Sequence, residues 1–82
     1  MKIREAFALN LRKARHARGL SQEALAFEAD IDRTYISALE RGVYGATIDM
    51  VDKLAAVLNV EPGALLQRPA RRGKKAKERV DE

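Results

Sequence analysis

The sequence predicts an all-α fold, a single compact domain of five helices. Two observations lead to this prediction. Apolar residues recur every three or four positions through the longer segments, as they do on one face of an α-helix. Residues that favour the N-cap position, Ser21, Asp32 and Thr47, precede three of the segments and mark where helices begin.

The first helix is predicted for residues 2–17. One stripe at helical spacing is apolar: Ile3, Phe7, Leu11 and Ala14. This helix should therefore be amphipathic and pack over the segments that follow. Gly19 marks its end, because glycine is favoured just past a helix C-terminus.

The second helix is predicted to begin at Gln22, directly after Ser21. The Ser21 hydroxyl can accept a hydrogen bond from an otherwise unpaired amide of the first turn, and the charge of Glu23 is favourable near that end. A narrow stripe of small and apolar side chains would let another helix approach closely: Leu25, Ala26 and Ala29.

A tight turn and a third helix follow. Asp30 stands at the turn, and Asp is one of the few residues besides Gly that adopts left-handed backbone at modest cost. Ile31 is predicted to return to the core, and Asp32 to cap a helix over residues 33–41. Gly42 then ends that helix.

The two faces of the third helix differ in chemistry. At 100° per residue, the inner face holds Ile36, Leu39 and Glu40. The outer face is predicted to hold short or hydrogen-bonding side chains: Thr34, Ser37, Ala38 and Arg41. A helix face that is merely solvated more often carries Lys and Glu. Short side chains instead let a helix enter a groove, so this face is predicted to bind a partner.

The fourth helix is predicted to start after Thr47. Its core stripe is expected to be Ile48, Val51, Ala55 and Leu58. A second apolar line, Met50, Leu54 and Val57, lies partly opposite the first. This line is interpreted as a surface for a second subunit, and the alternative is that the last helix covers it.

The fifth helix is short and has Pro62 at its first position, where the missing amide costs nothing. Leu65 and Leu66 point about 100° apart, so both cannot face one core, and one is expected to face a second subunit. Residues 1–66 are therefore predicted to form the domain. Residues 67–82 are predicted to form a basic, flexible tail.

Composition excludes several classes of protein. The 82 residues suffice for one small domain, and they contain no Cys and one His, so we expect neither a metal site nor a cofactor. No apolar run approaches the roughly 20 residues of a membrane span, and charges interrupt the N-terminus before a signal-peptide core could form. We therefore expect a cytoplasmic protein that does not bind membranes.

The net charge of +4 resides in the tail. Its bases are Arg68, Arg71, Arg72, Lys74, Lys75, Lys77 and Arg79, against Glu78, Asp81 and Glu82. Residues 1–66 are formally neutral. The tail is interpreted either as a nonspecific arm on DNA phosphates or as a solubilising end. In the domain, the argument for DNA is the clustering of bases around residues 21–41: Arg12, Lys13, Arg15, Arg18, Arg33 and Arg41.

Residues 21–41 resemble the helix-turn-helix of the Cro/CI-type repressors, the XRE-like transcriptional regulators. The matching landmarks are Ser21, Gln22, Leu25, Ala26, Ala29, Ile31, Ile36, Leu39 and Glu40. The resemblance implies a repressor-like DNA-binding domain whose second and third helices form the motif. It also implies an ion pair between Arg15 and Glu40, where the alternative is a solvated Arg15. The family usually has Gly at the position of Asp30.

Position suggests a role for each exposed polar residue of the motif. Base contacts are predicted for Arg33, Thr34, Ser37 and Ala38, since Arg can bind guanine with two hydrogen bonds and Ala can touch a thymine methyl. Phosphate contacts are predicted for Gln22 and Arg41. For Tyr44, a phosphate contact and plain packing are equally favoured.

The leading hypothesis is a sequence-specific regulator that binds double-stranded DNA as a homodimer, with residues 33–41 in the major groove. The alternative is a protein-interaction subunit, such as an antitoxin-like protein with a protein partner. An enzyme is poorly supported, because Ser21 is assigned to a cap and His16 lies on the outer side of the first helix, away from any nucleophile.

Overall fold

The computed structural model describes residues 1–69, which form five α-helices and no strand. The helices are α1 (Ile3–Ala17), α2 (Gln22–Ala29), α3 (Arg33–Glu40), α4 (Ile48–Leu58) and α5 (Pro62–Leu66). The predicted all-α, five-helix class is confirmed. The predicted tail, residues 67–82, lies outside the described residues from residue 70 onward.

Three helices begin at the predicted N-caps. The Ser21 hydroxyl accepts a hydrogen bond from the Ala24 amide at 2.9 Å, and a carboxylate oxygen of Asp32 accepts one from the Thr34 amide at 2.8 Å. The Thr47 hydroxyl accepts one from the amide of Met50 at 3.1 Å. Each cap satisfies an amide that has no acceptor within its own helix.

The turn between α2 and α3 is built on left-handed backbone at Asp30, with φ 57° and ψ 48°. This conformation lets the Ile31 amide donate to the Ala26 carbonyl at 2.9 Å. Ile31 then packs, partly buried, against the core. The prediction for Asp30 is therefore confirmed, and the turn forms without the glycine that is usual there.

All five helices contribute to one hydrophobic core. Its fully buried large side chains are Leu11, Leu25, Ile36, Leu39, Leu54, Leu58 and Leu65. Burial of each contributes about 1.5–3 kcal/mol to the stability of the domain. Two residues predicted for core stripes lie outside it: Ile3 is 44% exposed and Ile48 is 86% exposed. Both are the first residues of their helices, where no neighbouring element covers the side chain.

Polar side chains of α1 and of its C-cap residue, Arg18, bind the C-terminal carbonyls of three other helices. Arg12 donates to the Glu40 carbonyl of α3 at 3.0 Å, and Arg18 donates to the Val57 carbonyl of α4 at 2.7 Å. The Asn10 amide donates to the Leu65 carbonyl of α5 at 3.0 Å and to the carbonyl of Gln67 at 2.7 Å. Helix C-termini leave such carbonyls unpaired, so α1 stabilises the ends of the helices around it. No helix within residues 1–69 has the length and apolar character to cross a membrane.

Candidate nucleic-acid interface

The exposed side of α3 is formed by four residues. Arg33, Thr34 and Arg41 are exposed, and Ser37 is half-buried beside them. At 100° per residue they share one continuous strip along the helix. Ile36, Leu39 and Glu40 are buried on the other side, as predicted. The strip offers hydroxyls in the middle and a guanidinium at each end.

Ala38 does not belong to this strip, which corrects its predicted contact with a base. It is only 3% exposed, so its methyl group cannot reach a thymine. The reason is that α3 packs against both α2 and α1, and the buried side of α3 is therefore wider than one partner helix would make it. A helical wheel gives directions around a helix but not how many neighbours surround it.

Arg33 is free enough to bind a ligand. Its Nε lies 3.9 Å from a Glu23 carboxylate oxygen, and the two side chains are 53% and 74% exposed. An exposed pair at this distance contributes about 0–1 kcal/mol, so little is lost when Arg33 turns to another partner. Arg33 is also the first residue of α3, at the end of the exposed strip.

Arg41 forms the other end of the strip, and Tyr44 follows it in the loop after α3. The Arg41 guanidinium donates to the Ser37 carbonyl at 3.3 Å. The Tyr44 ring lies 6.4 Å from the Tyr35 ring, centroid to centroid, at an angle of 39°, and Tyr44 remains 56% exposed. Tyr44 therefore packs on an aromatic neighbour and is still more than half accessible, so both of its predicted roles are compatible with its position.

Arg15 and Glu40 form the buried ion pair that the family resemblance implies. Arg15 donates through Nε to one carboxylate oxygen of Glu40 at 2.6 Å and through Nη2 to the other at 2.9 Å. A third guanidinium hydrogen bond goes to the Leu20 carbonyl at 2.9 Å. Glu40 is 2% exposed and Arg15 is 8% exposed, so the pair ties α1 to the end of α3 within the core.

The ion pair keeps Glu40 charged despite its burial. Burial by itself raises the pKa of a carboxyl group, but the hydrogen bonds from Arg15 and Gln22 and the charges of Arg15 and Arg12 outweigh it. The pKa of Glu40 therefore lies below its ordinary value. The hydrogen bond to Glu40 raises the pKa of Arg15 above its ordinary value, against the opposing effect of burial.

Gln22 lies at the start of α2, where a phosphate contact was predicted. Its side chain is half-buried, and its amide nitrogen donates to a Glu40 carboxylate oxygen at 3.1 Å. Gln22 is thus part of the same network as the buried ion pair. Sequence spacing alone gives no indication of this bond, because the two residues belong to different helices.

Several members of the predicted cluster of bases around the motif already have acceptors within the protein. Arg12, Arg15 and Arg18 all point to acceptors within the protein, namely the Glu40 carbonyl, the Glu40 carboxylate and the Val57 carbonyl. Sequence analysis anticipated the partner of Arg15 from the family resemblance but missed the roles of Arg12 and Arg18, because side chains that cap distant helices have no local pattern. Arg33 and Arg41 of the cluster remain on the exposed strip of α3.

The predicted dimer surface is corrected in two places. Leu54 is fully buried and Leu65 is 1% exposed, so neither can contact a second subunit. For Leu54 the alternative interpretation is correct: other helices cover the second apolar line at this position, because α4 packs against both α2 and α5. Met50 and Val57 are half-buried, and Leu66 is 38% exposed.

Ile48 is an exposed apolar residue that the sequence analysis had assigned to the core. It lines an open groove between α4 and α5, together with Leu66. The other lining residues are Ala46, Asp49, Val51, Asp52, Pro62 and Gly63. Met50 and Val57 lie on the opposite edge of α4, about 160–180° away from Ile48 around the helix axis. The predicted surface therefore divides into two separate edges.

Comparison with known proteins agrees with this architecture. A helix-turn-helix family profile matches residues 11–65. Control protein C.BamHI of Bacillus amyloliquefaciens is 43% identical over 65 residues, which are 78% of this chain and 80% of that protein. The crystal structure of hypothetical transcription factor NHTF from Neisseria has 40% identity and a TM-score of 0.80, covering 83% of this chain and 78% of that one.

A further solved structure contains nucleic acid. The restriction-modification controller protein C.Esp1396I, a tetramer in complex with its natural 35-base-pair operator, has 29% identity and a TM-score of 0.72. The match covers 79% of this chain and 86% of that one. The profile match, the identities and the position of α2 and α3 agree, and the chain belongs to the XRE-like helix-turn-helix family of transcription regulators.

Proposed function

We propose that this protein is a sequence-specific regulator of transcription that binds double-stranded DNA as a homodimer. The observation that carries the proposal is the exposed strip of α3, where Thr34 and Ser37 lie between Arg33 and Arg41. Both hydroxyls are short hydrogen-bonding groups, and the opposite side of the helix is fixed in the core. A DNA target also implies a cytoplasmic location.

The arrangement of the two helices of the motif matches the requirements of a duplex. α3 enters the major groove through its exposed strip, and α2 crosses the sugar-phosphate backbone. The N-terminus of α2, at Gln22, then faces a phosphate, because helix N-termini carry partial positive charge and unpaired amides.

Each residue of the strip receives a role from its chemistry. Arg33 is the strongest candidate for base recognition, because its guanidinium can bind the O6 and N7 atoms of guanine together. Thr34 and Ser37 bind base edges or nearby phosphates. Arg41 and Tyr44 hold the backbone on the far side of the groove, with Gln22 on the near side.

The homodimer forms through the groove between α4 and α5. Ile48 is 86% exposed at its edge, and Leu66 lies on the other side of it. Asp49 and Asp52 border this apolar surface, which gives it the polar rim that interfaces commonly have. A second copy of the chain would bury Ile48 and Leu66, and Met50 and Val57 would remain outside the contact.

The relatives support a regulator that acts on a defined operator. C.BamHI is named a control protein, and C.Esp1396I is a restriction-modification controller solved on its natural operator. A regulatory target of the same kind is the simplest assignment for this chain.

Selection of bound sequences from a pool of random duplexes tests the proposal. The expected result is a pair of symmetry-related half-sites whose centres lie about one helical turn, roughly 10 base pairs, apart. Half-sites in a fixed orientation would identify the homodimer as the binding species. A protein that bound no duplex and copurified with another polypeptide would contradict the proposal and favour the protein-interaction alternative.

A further inference from the structure

One carboxylate connects the three helices on which DNA recognition depends. The Oε1 atom of Glu40 accepts two hydrogen bonds, from Nη2 of Arg15 at 2.9 Å and from Nε2 of Gln22 at 3.1 Å. Its Oε2 atom accepts the bond from Nε of Arg15 at 2.6 Å. Because Glu40 is the last residue of α3, this one group joins α1, α2 and the exposed strip.

The bond from Gln22 determines which end of its amide faces the protein. An ionised carboxylate only accepts hydrogen bonds, so the NH₂ end of the amide must face Glu40 and the carbonyl end cannot. One N–H is used in this bond and the second remains available. A glutamine without such a partner would rotate about its side-chain bonds and would lose that freedom only on binding.

Arg15 maintains the condition on which this arrangement depends. A carboxyl group buried as Glu40 is, with 2% of its surface exposed, would take up a proton without a cation beside it. A protonated carboxyl group could donate as well as accept, and the orientation of the Gln22 amide would no longer be determined. The two bonds from Arg15 therefore keep Glu40 ionised, and the ionised carboxylate determines the orientation of the Gln22 amide.

We propose that Glu40 is a positioning residue for DNA binding, which holds the side-chain amide of Gln22 ready to donate its second N–H to a phosphate. The inference rests on the proposed function, since it takes Gln22 as a phosphate contact. The same bond links the phosphate-binding end of α2 to the last residue of α3. Glu40 itself touches no DNA, because it lies in the core.

The test uses replacements that remove the carboxylate without leaving a buried charge. In the full chain, Arg15→Met is combined with Glu40→Leu to give the apolar-pair variant. The two changes exchange the ion pair for apolar groups, an exchange that folded proteins often tolerate. This variant, Gln22→Ala and the triple variant are compared with the wild type for affinity to the selected duplex. Circular dichroism first establishes the temperature at which all four proteins are folded.

The expected losses of duplex affinity in the apolar-pair variant and in Gln22→Ala do not multiply when the changes are combined in the triple variant. The apolar-pair variant should bind roughly three- to tenfold more weakly, which is the cost of ordering one long side chain on binding. The triple variant should bind no more weakly than Gln22→Ala, because Glu40 acts only through Gln22. Wild-type affinity in the apolar-pair variant, or losses that multiply in the triple variant, would overturn the inference.

A second measurement observes Gln22 without DNA. Nuclear magnetic relaxation of the Gln22 side-chain NH₂ group should report a rigid amide in the wild type and a mobile one in the apolar-pair variant. Arg18→Met is the matched control, since it removes the C-cap arginine of α1, which also bonds another helix, at the Val57 carbonyl, but leaves Glu40 in place. The control should keep Gln22 rigid and duplex affinity within about twofold, and an equally mobile amide in the wild type would contradict the inference.

The proposed function and this inference fail in different ways. If the wild type bound no duplex, the proposed function would be wrong and the inference with it. If the wild type bound its selected duplex and the apolar-pair variant bound it equally well, only the role of Glu40 would be wrong.

Discussion

Asp30 and Asn59 end two different helices in almost the same conformation. Asp30 has φ 57° and ψ 48° after α2, and Asn59 has φ 59° and ψ 45° after α4. In each case the next residue donates its amide five positions back, from Ile31 to Ala26 and from Val60 to Ala55. Left-handed backbone thus reverses the chain twice without glycine, at positions where short polar side chains tolerate it.

This conformation predicts that Asp30→Gly is more stable than Asp30→Ala, the reverse of the order expected in the middle of a helix. Asp30→Ala should lower the free energy of unfolding by about 1 kcal/mol, because a β-carbon without a local polar group is disfavoured in left-handed backbone. Asp30→Gly should not lower it. Urea denaturation measures both.

Glu28 provides the matched control, since it lies two residues earlier in the regular part of α2. There the order should reverse, with Glu28→Gly about 1 kcal/mol less stable than Glu28→Ala. The same order at both positions would contradict a special role for the backbone of Asp30.

The buried ion pair predicts a large loss of stability when one partner is removed. Arg15→Ala leaves the Glu40 carboxylate buried without its cation and should cost about 3–5 kcal/mol. The exposed pair of Glu23 and Arg33, 3.9 Å apart, is the control, and Glu23→Gln should change stability by less than about 1 kcal/mol. Similar losses at the two sites would show that burial of the first pair has little energetic weight.

The lowered pKa of Glu40 predicts loss of stability in acid. A carboxyl group whose pKa is lower in the folded state than in the unfolded state stabilises the fold above its unfolded pKa, about 4.3 for Glu. That contribution is lost as the pH falls through the lower, folded value. Denaturation measured from pH 6 downward should therefore be less steeply pH-dependent in Glu40→Gln than in the wild type.

The matched control for the acid dependence is Glu28→Gln, which removes an exposed carboxylate from α2. It should keep the pH dependence of the wild type. If Glu40→Gln kept it too, another carboxyl group would be responsible for the acid sensitivity.

The position of Arg33 at the end of the exposed strip predicts a loss of base discrimination. Arg33→Ala should weaken binding to the selected duplex by about 1–3 kcal/mol and relax the preference at one base pair. Binding titrations on the selected duplex and on duplexes altered at single positions measure both effects.

Lys53→Ala, on the exposed side of α4, is the control for the removal of one positive charge. It should leave both affinity and base preference close to those of the wild type. An equal loss on matched and altered duplexes in Arg33→Ala would identify Arg33 as a phosphate contact.

The exposure of Ile48 predicts a dimer that a single charge can dissociate. Ile48→Glu should shift the protein to the monomer in analytical ultracentrifugation while its helical content is unchanged, because the side chain is 86% exposed in one chain. Val57→Glu, on the other edge of α4, should leave the dimer intact. A dimer that survived Ile48→Glu and dissociated in Val57→Glu would move the interface to the other edge.

The sequence predicted the elements of the fold well because their signals are local. The caps at Ser21, Asp32 and Thr47 and the turn at Asp30 each depend on one residue and its nearest neighbours, and all four formed as predicted. The helix bounds agreed within about a residue for the same reason.

The errors concern contacts between helices. Ala38 was assigned to the exposed side of α3 because a helical wheel shows direction and not how many neighbours surround the helix, and α3 packs against both α2 and α1. Leu54 was assigned to a subunit surface and is buried, and Ile48 was assigned to the core and is exposed. Both belong to apolar stripes of α4, so the residue types did not distinguish them. Which stripe is covered depends on where α5 and α2 pack, and residue spacing within α4 does not contain that information.

The buried ion pair also determines which arginine can contribute to the salt dependence of binding. Arg15 is buried and its charge is paired with Glu40, so it releases no cation from a DNA backbone. Arg12 and Arg18 donate to neutral carbonyls and are exposed, so each keeps its charge at the surface of the domain. Each phosphate neutralised by a protein cation adds about 0.9 to the slope of log affinity against log salt concentration, so the burial of Arg15 lowers that slope by roughly one. The salt concentration at which the operator is released should therefore depend on the exposed arginines and not on Arg15.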